Sequence, residues 1–502
     1  MRKFTLLFTL LFLTLGAMAQ PQVGKYYKIK GTHSTHPWLT AVAEGGAIDV
    51  ASDEANAGIY QVTENGIREL FTGKYIGTTG SQITLVNNAN ATTIEASDNG
   101  RYLIKNDGRY LYNNQADYTR EAGNLTAAGA DAPKWNFIEV TPLFTIDNEF
   151  NGRGTLCYGN WTNGQEYLAL TNITLSGWTN KNVAVTNDAN KYWYVTRTDN
   201  GLHIYNIGKG VFMQPHSVQK VFCSPAIANG FTTEIRSKND INYRSIKSGS
   251  YYLTYSCGWD PSDNVGQVRW INDNEEAATL LTFNEVANAA TTYAAEIATA
   301  NTIINGFTLT VTDAGWATLY LGCNVKIPEF TGEDAGAYIV TGTKEGGWLE
   351  LVKVVDCLPA NTGIIVKADE GEYTFSYAPV ATADVEGNLL EGSVLAETLS
   401  VAAYVLGYDI NDTKKQNVVF APAKLTDGKW LNNANKAYLP VTALPAGANV
   451  AYYSFRFPGT TDIENVEVEN EVKAIYDLTG RRVEAITAPG IYIVNGKKVL
   501  VK

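Results

Sequence analysis

Four tryptophans sit among residues that could recognise a ligand. Trp161 stands in Asn160-Trp161-Thr162-Asn163, Trp178 in Ser176-Gly177-Trp178-Thr179-Asn180, and Trp259 in Cys257-Gly258-Trp259-Asp260. A flat indole ringed by amides, hydroxyls and carboxylates suits a sugar. The apolar face of the pyranose stacks on the ring while its hydroxyls pair with the polar side chains beside it. Trp38, following His36-Pro37, can join the set. The competing use of these rings is to plug a barrel or pack a loop against a strand, as large aromatics commonly do.

Motifs of covalent or metal chemistry are missing from the sequence. It has no H-E-x-x-H zinc helix, no G-x-S-x-G nucleophile elbow and no G-x-x-x-x-G-K-[ST] phosphate loop. Glycoside hydrolysis needs no fixed spacing, because its two carboxylates can come from distant strands, but with 51 acidic residues no pair stands out. The four histidines are His33, His36, His203 and His216. His33 and His36 share a polar loop that could hold a metal only if a third ligand folded over it, so it reads as solvated. Asp260, Asp263 and Asn264 offer oxygens without the alternation of a calcium loop and read as a turn. No catalytic residue, metal ligand or cofactor is expected.

The elements that must position the tryptophans repeat. From Gly24 onward, six units each carry a strand with a bulky apolar pair: Trp38-Leu39, Tyr75-Ile76, Tyr110-Leu111, Tyr167-Leu168, Val211-Phe212 and Tyr252-Leu253. Each unit then closes on another strand: 59–62, 93–95, 135–140, 193–195, 233–235 and 281–283. The longest gap falls between the third and fourth copies, so the six split into two sets of three. A single unit cannot cover its own apolar face, whereas three can close a barrel and cap it. Three such units of about 40 residues resemble a β-trefoil, the architecture of ricin-type lectin domains and of several protease inhibitors. The resemblance implies one trefoil over 20–141 and a second over 142–287. The ricin-type family closes each repeat with Q-x-W; here the closing strands carry Tyr60-Gln61-Val62, Asn136-Phe137-Ile138 and Tyr192-Trp193-Tyr194. No binding residue carries over from the family.

Residues 288–304 read as a linker with a helical turn or two, since no charge spacing would hold a helix there alone. The segment 305–461 has longer alternating strands, such as those at 307–311, 336–341, 348–354, 363–367 and 373–377, and reads as a β-rich, sandwich-like module. It resembles a module that often precedes a sorting tail in secreted bacterial proteins. The last stretch, 462–502, ends in YDLTGRRV and GIYIVNGKKVLVK. Its alternation and Asn495-Gly496 turn predict three short strands. These runs resemble the C-terminal sorting domain of type IX secretion cargo. That resemblance implies a tag read by the secretion machinery, which carries what precedes it to the outer surface.

The other end agrees. Arg2-Lys3, an apolar run from Phe4 to Leu15 and Ala17-Met18-Ala19 predict a signal peptide over 1–19. No later run reaches the roughly 18 apolar residues of a membrane span. The formal net charge of −12 opposes binding to a phosphate backbone, so nucleic acid is not an expected partner. Of the five cysteines, Cys323 and Cys357 fall in one expected domain and could pair, with buried unpaired thiols as the alternative.

The sequence therefore predicts an all-β protein: two tandem trefoils, a sandwich-like module and a short β tail. It is expected to be exported to the cell surface or secreted, and to bind a glycan without enzymatic action. Trp38, Trp161, Trp178 and Trp259 are the expected contacts. The alternatives are an adhesin or protease inhibitor that meets a host or bacterial protein through trefoil loops, or a glycoside hydrolase.

Overall fold

A computed structural model describes residues 20–32, 34–40, 48–79, 82–88, 92–106, 108–113, 120–123, 133–149, 153–160, 166–174, 188–217, 221–239, 241–256, 267–272, 278–286, 288–409, 417–445, 450–457, 475–477, 481–483, 490–494 and 497–501. The described chain is all-β apart from helices at Ala289–Thr292 and Ala294–Asn305 and a few short 3-10 turns. The expected signal peptide lies outside the described residues, as do 458–474 of the tail.

From Tyr26 to Glu285 the strands come in groups of four. The first three groups are β1 (Tyr26–Lys30), β2 (Trp38–Leu39), β3 (Val50–Ala51) and β4 (Tyr60–Thr63); β5 (Gly66–Glu69), β6 (Tyr75–Thr79), β7 (Gln82–Val86) and β8 (Thr92–Ala96); and β9 (Tyr102–Asn106), β10 (Arg109–Asn113), β11 (Arg120–Gly123) and β12 (Lys134–Val140). The next three are β13 (Leu143–Asn148), β14 (Arg153–Asn160), β15 (Glu166–Thr174) and β16 (Tyr192–Thr198); β17 (Gly201–Asn206), β18 (Val211–Met213), β19 (Cys223–Ser224) and β20 (Thr232–Lys238); and β21 (Ile241–Ser248), β22 (Tyr251–Ser256), β23 (Gln267–Asn272) and β24 (Leu281–Glu285).

Antiparallel pairings run β1–β4–β5 and β8–β9–β12–β1, with β5 alongside β8, so six strands form a ring. Hairpins β2/β3, β6/β7 and β10/β11 extend from β1, β5 and β9. A second ring runs β13–β16–β17 and β20–β21–β24–β13, joined by the Leu202↔Phe231 bridge, and carries hairpins β14/β15, β18/β19 and β22/β23.

The same local chemistry turns the first corner of each ring. Thr63-Glu64-Asn65-Gly66 and Thr198-Asp199-Asn200-Gly201 join β4 to β5 and β16 to β17 as two-residue hairpins. In each, the threonine hydroxyl accepts the asparagine N–H, at 3.2 and 3.1 Å, and the glycine takes a positive φ of 140° or 116°. Each ring also buries a closing-strand tryptophan. Trp135 and Trp193 are fully enclosed and donate Nε1–H to the carbonyls of Leu111 and Leu156, at 3.0 and 2.9 Å.

The closing strands read from the sequence fall on β4, β8, β12, β16, β20 and β24. Five of the six apolar pairs lie on the first strand of a hairpin, but Tyr167-Leu168 lies on β15, the second. The first strand of that hairpin, β14, carries its own buried Leu156, Cys157 and Tyr158, so apolarity does not separate the two strands.

The two rings share a core. Tyr26, Ile59, Leu70 and Phe71 of the first pack with Phe144, Trp193, Leu202 and Phe231 of the second. Behind this contact, Leu143, Tyr194, Tyr205 and Phe212 pack against Ile297, Ala300 and Ile303. Those three residues explain why Ala294–Asn305 is a full 12-residue helix rather than a turn or two: tertiary burial stabilises it, and Gly306, at φ 74°, ends it with its N–H on the Thr302 carbonyl.

The module has three layers. A sheet of Phe307–Val311, Gly371–Tyr377, Val325–Lys326 and Cys357–Leu358 covers one face of a second sheet, made of Trp316–Leu321, Thr362–Lys367, Gly336–Lys344, Trp348–Val354 and Ser454–Arg456. The other face is covered by the strands Glu391–Ser393, Lys436–Pro440, Ala403–Tyr408 and Val418–Pro422. Ala337, Ile339, Ile364 and Val366 point to one core, and Tyr338, Val340 and Ile365 to the other. Burial on both faces is why Ile364-Ile365-Val366 is continuously apolar. In the tail, Ile475–Asp477, Arg482–Val483, Gly490–Val494 and Lys497–Val501 make a sheet of four strands rather than the expected three.

Among the described cysteines, Cys157, Cys223, Cys323 and Cys357 are all free, so the Cys323–Cys357 pair is not formed. Cys323 is enclosed in the core, while Cys357 lies on a short strand opposite Lys326. Burial pushes the thiols of Cys157, Cys223 and Cys323 up to about 12, away from the range of a nucleophilic thiolate; Cys157 and Cys323 are core residues and Cys223 is half-buried.

Candidate functional site

Trp161, Trp178 and Trp259 lie outside the described residues, as do His33, Asp260, Asp263 and Asn264. Trp38 is described: it lies on β2, 6% exposed, with the Lys30 ammonium 4.9 Å from its ring. His36 meets the Thr35 hydroxyl at 3.0 Å through Nδ1, and its carbonyl accepts the Asn113 amide. His216 stacks on Tyr251 at 3.4 Å. Among the described residues no three His, Cys, Asp or Glu side chains gather as metal ligands.

Two concave surfaces remain. One is a cleft of about 460 Å³ between the β16/β17 turn, residues 227–229 and the end of the long helix at Asn305. Its lining includes His203, whose Nε2 meets the Thr198 hydroxyl at 2.9 Å, and one carboxylate, Asp199, which is ion-paired to Arg68 at 2.7 Å. Burial, with the Arg197 charge added, pulls His203 down to about 4 from the 6.5 of a free imidazole. Near pH 5 the unfolded chain therefore binds a proton that the folded chain does not. The stability contributed by neutral His203 is complete above pH 6.5 and falls as the pH drops towards 4, by at most about 3 kcal/mol. Denaturant titrations of a His203→Gln variant should show a flatter dependence over that range; an unchanged slope would contradict the assignment.

The other surface is a groove of about 480 Å³ in the module, and no sequence motif marked it. The strand Trp316–Leu321 forms one wall, and the consecutive strands Trp430–Asn432 and Lys436–Pro440, which belong to different sheets, form the other. Phe455 stacks on Trp316 at 4.2 Å and fixes that indole at the rim. Trp430 is held by its Nε1–H on the Val401 carbonyl at 2.8 Å and by the edge of Tyr438 at 5.2 Å.

The turn between these two strands is pinned by its own amides. Asn432 Nδ2 donates to Ser393 Oγ and to the Lys436 carbonyl, at 2.8 and 3.1 Å. Asn435, at φ 58°, donates its side chain to the Tyr320 carbonyl at 3.1 Å. Asn433 lies between them, exposed at the groove. Lys436 enters from the same turn, half-buried, and its ammonium reaches only the Thr318 carbonyl at 3.5 Å. Burial lowers its pKa, with no neighbouring charge to offset the desolvation. Thr310, Thr318 and Lys424 add polar groups, and no carboxylate of a described residue lines the groove.

The groove thus combines the half-buried Trp316, a buried second indole, an outward amide, hydroxyls and an ammonium with no carboxylate partner among the described residues. Tertiary folding brings these residues together from segments more than a hundred positions apart, which is why spacing along the chain did not reveal them.

No family model matches this chain, and no curated protein matches it. Among solved structures, it is similar to a mosquitocidal holotoxin at a TM-score of 0.21 and 10% identity, over 84% of this chain and 51% of that one. The chain therefore spans about half the length of that toxin. It is also similar to the GlcNAcα1-4Gal-releasing endo-β-galactosidase from Clostridium perfringens, at a TM-score of 0.24 and 10% identity, over 53% of this chain and 69% of that one. Likenesses of this degree carry neither fold nor activity to this chain.

Proposed function

We propose that the protein is an exported carbohydrate-binding protein, secreted or held at the cell surface, which binds its glycan without altering it. The observation that carries this reading is the module groove, where the half-buried Trp316 stands beside hydroxyls, the Asn433 amide and the Lys436 ammonium, with the buried Trp430 behind them. Fixed aromatic walls with a few convergent polar groups are what a pyranose requires.

In the same reading the two rings with their hairpins are β-trefoils, supported by the repeated four-strand order and the matched Thr-x-Asn-Gly corners. Trp161, Trp178 and Trp259 form a second set of proposed contacts there, whereas Trp38, buried at 6% exposure with Lys30 against its ring, leaves the set expected from the sequence. The leader and the sorting-like tail give export and a partner in the secretion machinery.

The test is a broad glycan array probed with residues 20–502. A Thr310→Ala/Asn433→Ala double variant removes exposed groove contacts without touching the core. Binding by the parent chain, reduced at least tenfold in the double variant, is the expected result. Loss on Trp161→Ala, Trp178→Ala or Trp259→Ala instead would move the site to the repeats. Silence across the array would contradict carbohydrate binding and favour a protein partner.

A further inference from the structure

We infer that the module groove selects acidic sugars, with the Lys436 ammonium receiving the ligand's carboxylate. The inference rests on the carbohydrate reading and goes beyond it by naming the class of sugar.

The geometry carries it. Lys436 is half-buried at the groove wall, yet among the described residues its ammonium makes only one hydrogen bond, a long one of 3.5 Å to the Thr318 carbonyl. Partly desolvated ammonium groups ordinarily find a carboxylate, because the loss of hydration is otherwise uncompensated. The nearest acidic side chain on the paired strand, Glu391, is turned to the Tyr438 hydroxyl at 3.2 Å instead. The two charged residues in the lining, Lys424 and Lys436, are both cationic. The chain as a whole is acidic, at −12, so a cationic groove free of carboxylates runs against the general charge. Such a field rejects cations and draws anions in.

The anion must also suit the rest of the groove. Trp316, half-buried, offers apolar ring surface, which a bare inorganic anion would leave uncovered, while Asn433 and Thr310 offer hydrogen bonds for hydroxyls. A hexuronate, with an apolar ring face, hydroxyls and one carboxylate, satisfies all of these at once. The depressed basicity of Lys436 agrees, because an incoming carboxylate would offset the desolvation that causes it.

The experiment is calorimetric titration of residues 20–502 with oligogalacturonate and oligoglucuronate, each beside its methyl ester. Esterification removes the charge and leaves the ring and hydroxyls in place. At least one acid should bind tenfold or more tightly than its ester, equivalent to about 1.4 kcal/mol. Lys436→Gln should abolish the difference in affinity between acid and ester. Equal affinity for acid and ester on the parent chain, which needs no variant to fold, would overturn the inference while leaving the carbohydrate reading intact. Binding of neither acid nor ester would overturn the inference, and silence across the glycan array as well would overturn the carbohydrate reading.

Discussion

Replacing Arg197 by alanine should lower the stability of the paired rings by about 3–5 kcal/mol, the scale for removing one partner from a buried ionic network. Arg197 is 8% exposed, and its guanidinium donates to the carbonyls of Leu70 and Phe71 across the contact between the rings. Its own backbone N–H donates to the Tyr26 hydroxyl at 2.9 Å, which in turn meets Thr196 Oγ1 at 2.7 Å. Glu69 beneath it is fully buried, accepts the N–H groups of Phe71 and Thr72 at 3.1 and 2.6 Å, and lies 3.9 Å from Arg244. Burial lowers Arg197 to about 10, so it stays charged at neutral pH. Alanine would take the Arg197 donor from the Leu70 carbonyl, leave the Phe71 carbonyl with the Thr233 hydroxyl alone, and leave the Glu69 carboxylate with less positive charge beside it. Arg197→Lys should restore only part of the loss, because an ammonium cannot span both carbonyls as the planar fork does. Denaturant midpoints measure the effect; a loss below about 1 kcal/mol would show that the rings are not coupled through this residue.

Trp193→Ala should cost a similar amount, about 3–5 kcal/mol, from a different cause. The indole is fully buried in the shared core, and its N–H satisfies the Leu156 carbonyl at 2.9 Å. Alanine leaves a large cavity and an orphaned acceptor together. Trp193→Phe retains most of the volume and should cost less, with about 1–3 kcal/mol belonging to the unsatisfied carbonyl. Equal losses for the two variants would mean that the hydrogen bond, not the packed volume, dominates at this position.

Much of the architecture could be read from local chemistry. Apolar pairs such as Tyr75-Ile76 and Tyr252-Leu253 mark hairpin strands because a half-buried strand must alternate, and Thr63 and Thr198 precede Asn-Gly corners that only tight antiparallel turns require. The reading slipped at Tyr167-Leu168, where both strands of one hairpin are apolar. It missed the helix Ala294–Asn305, whose stability comes from Ile297 and Ile303 meeting a core that no window of sequence contains. The module strands looked half-buried, yet Thr362–Lys367 is covered on both faces. The groove was invisible for the same reason: Trp316 and Trp430 are far apart in sequence, and Lys436 stands out only once the missing carboxylate around it is seen in three dimensions. Trp38 illustrates the converse, since composition alone did not reveal that Lys30 sits against its ring.

The most direct test of carbohydrate binding in the module is a tryptophan-fluorescence titration of residues 20–502 with oligosaccharides, run in parallel on the parent chain and on Thr310→Ala/Asn433→Ala. The account predicts a saturable change in the parent that needs at least tenfold more ligand in the variant, with both proteins unfolding at the same denaturant concentration. Identical titration curves for the two proteins, or no response to any oligosaccharide, would contradict it.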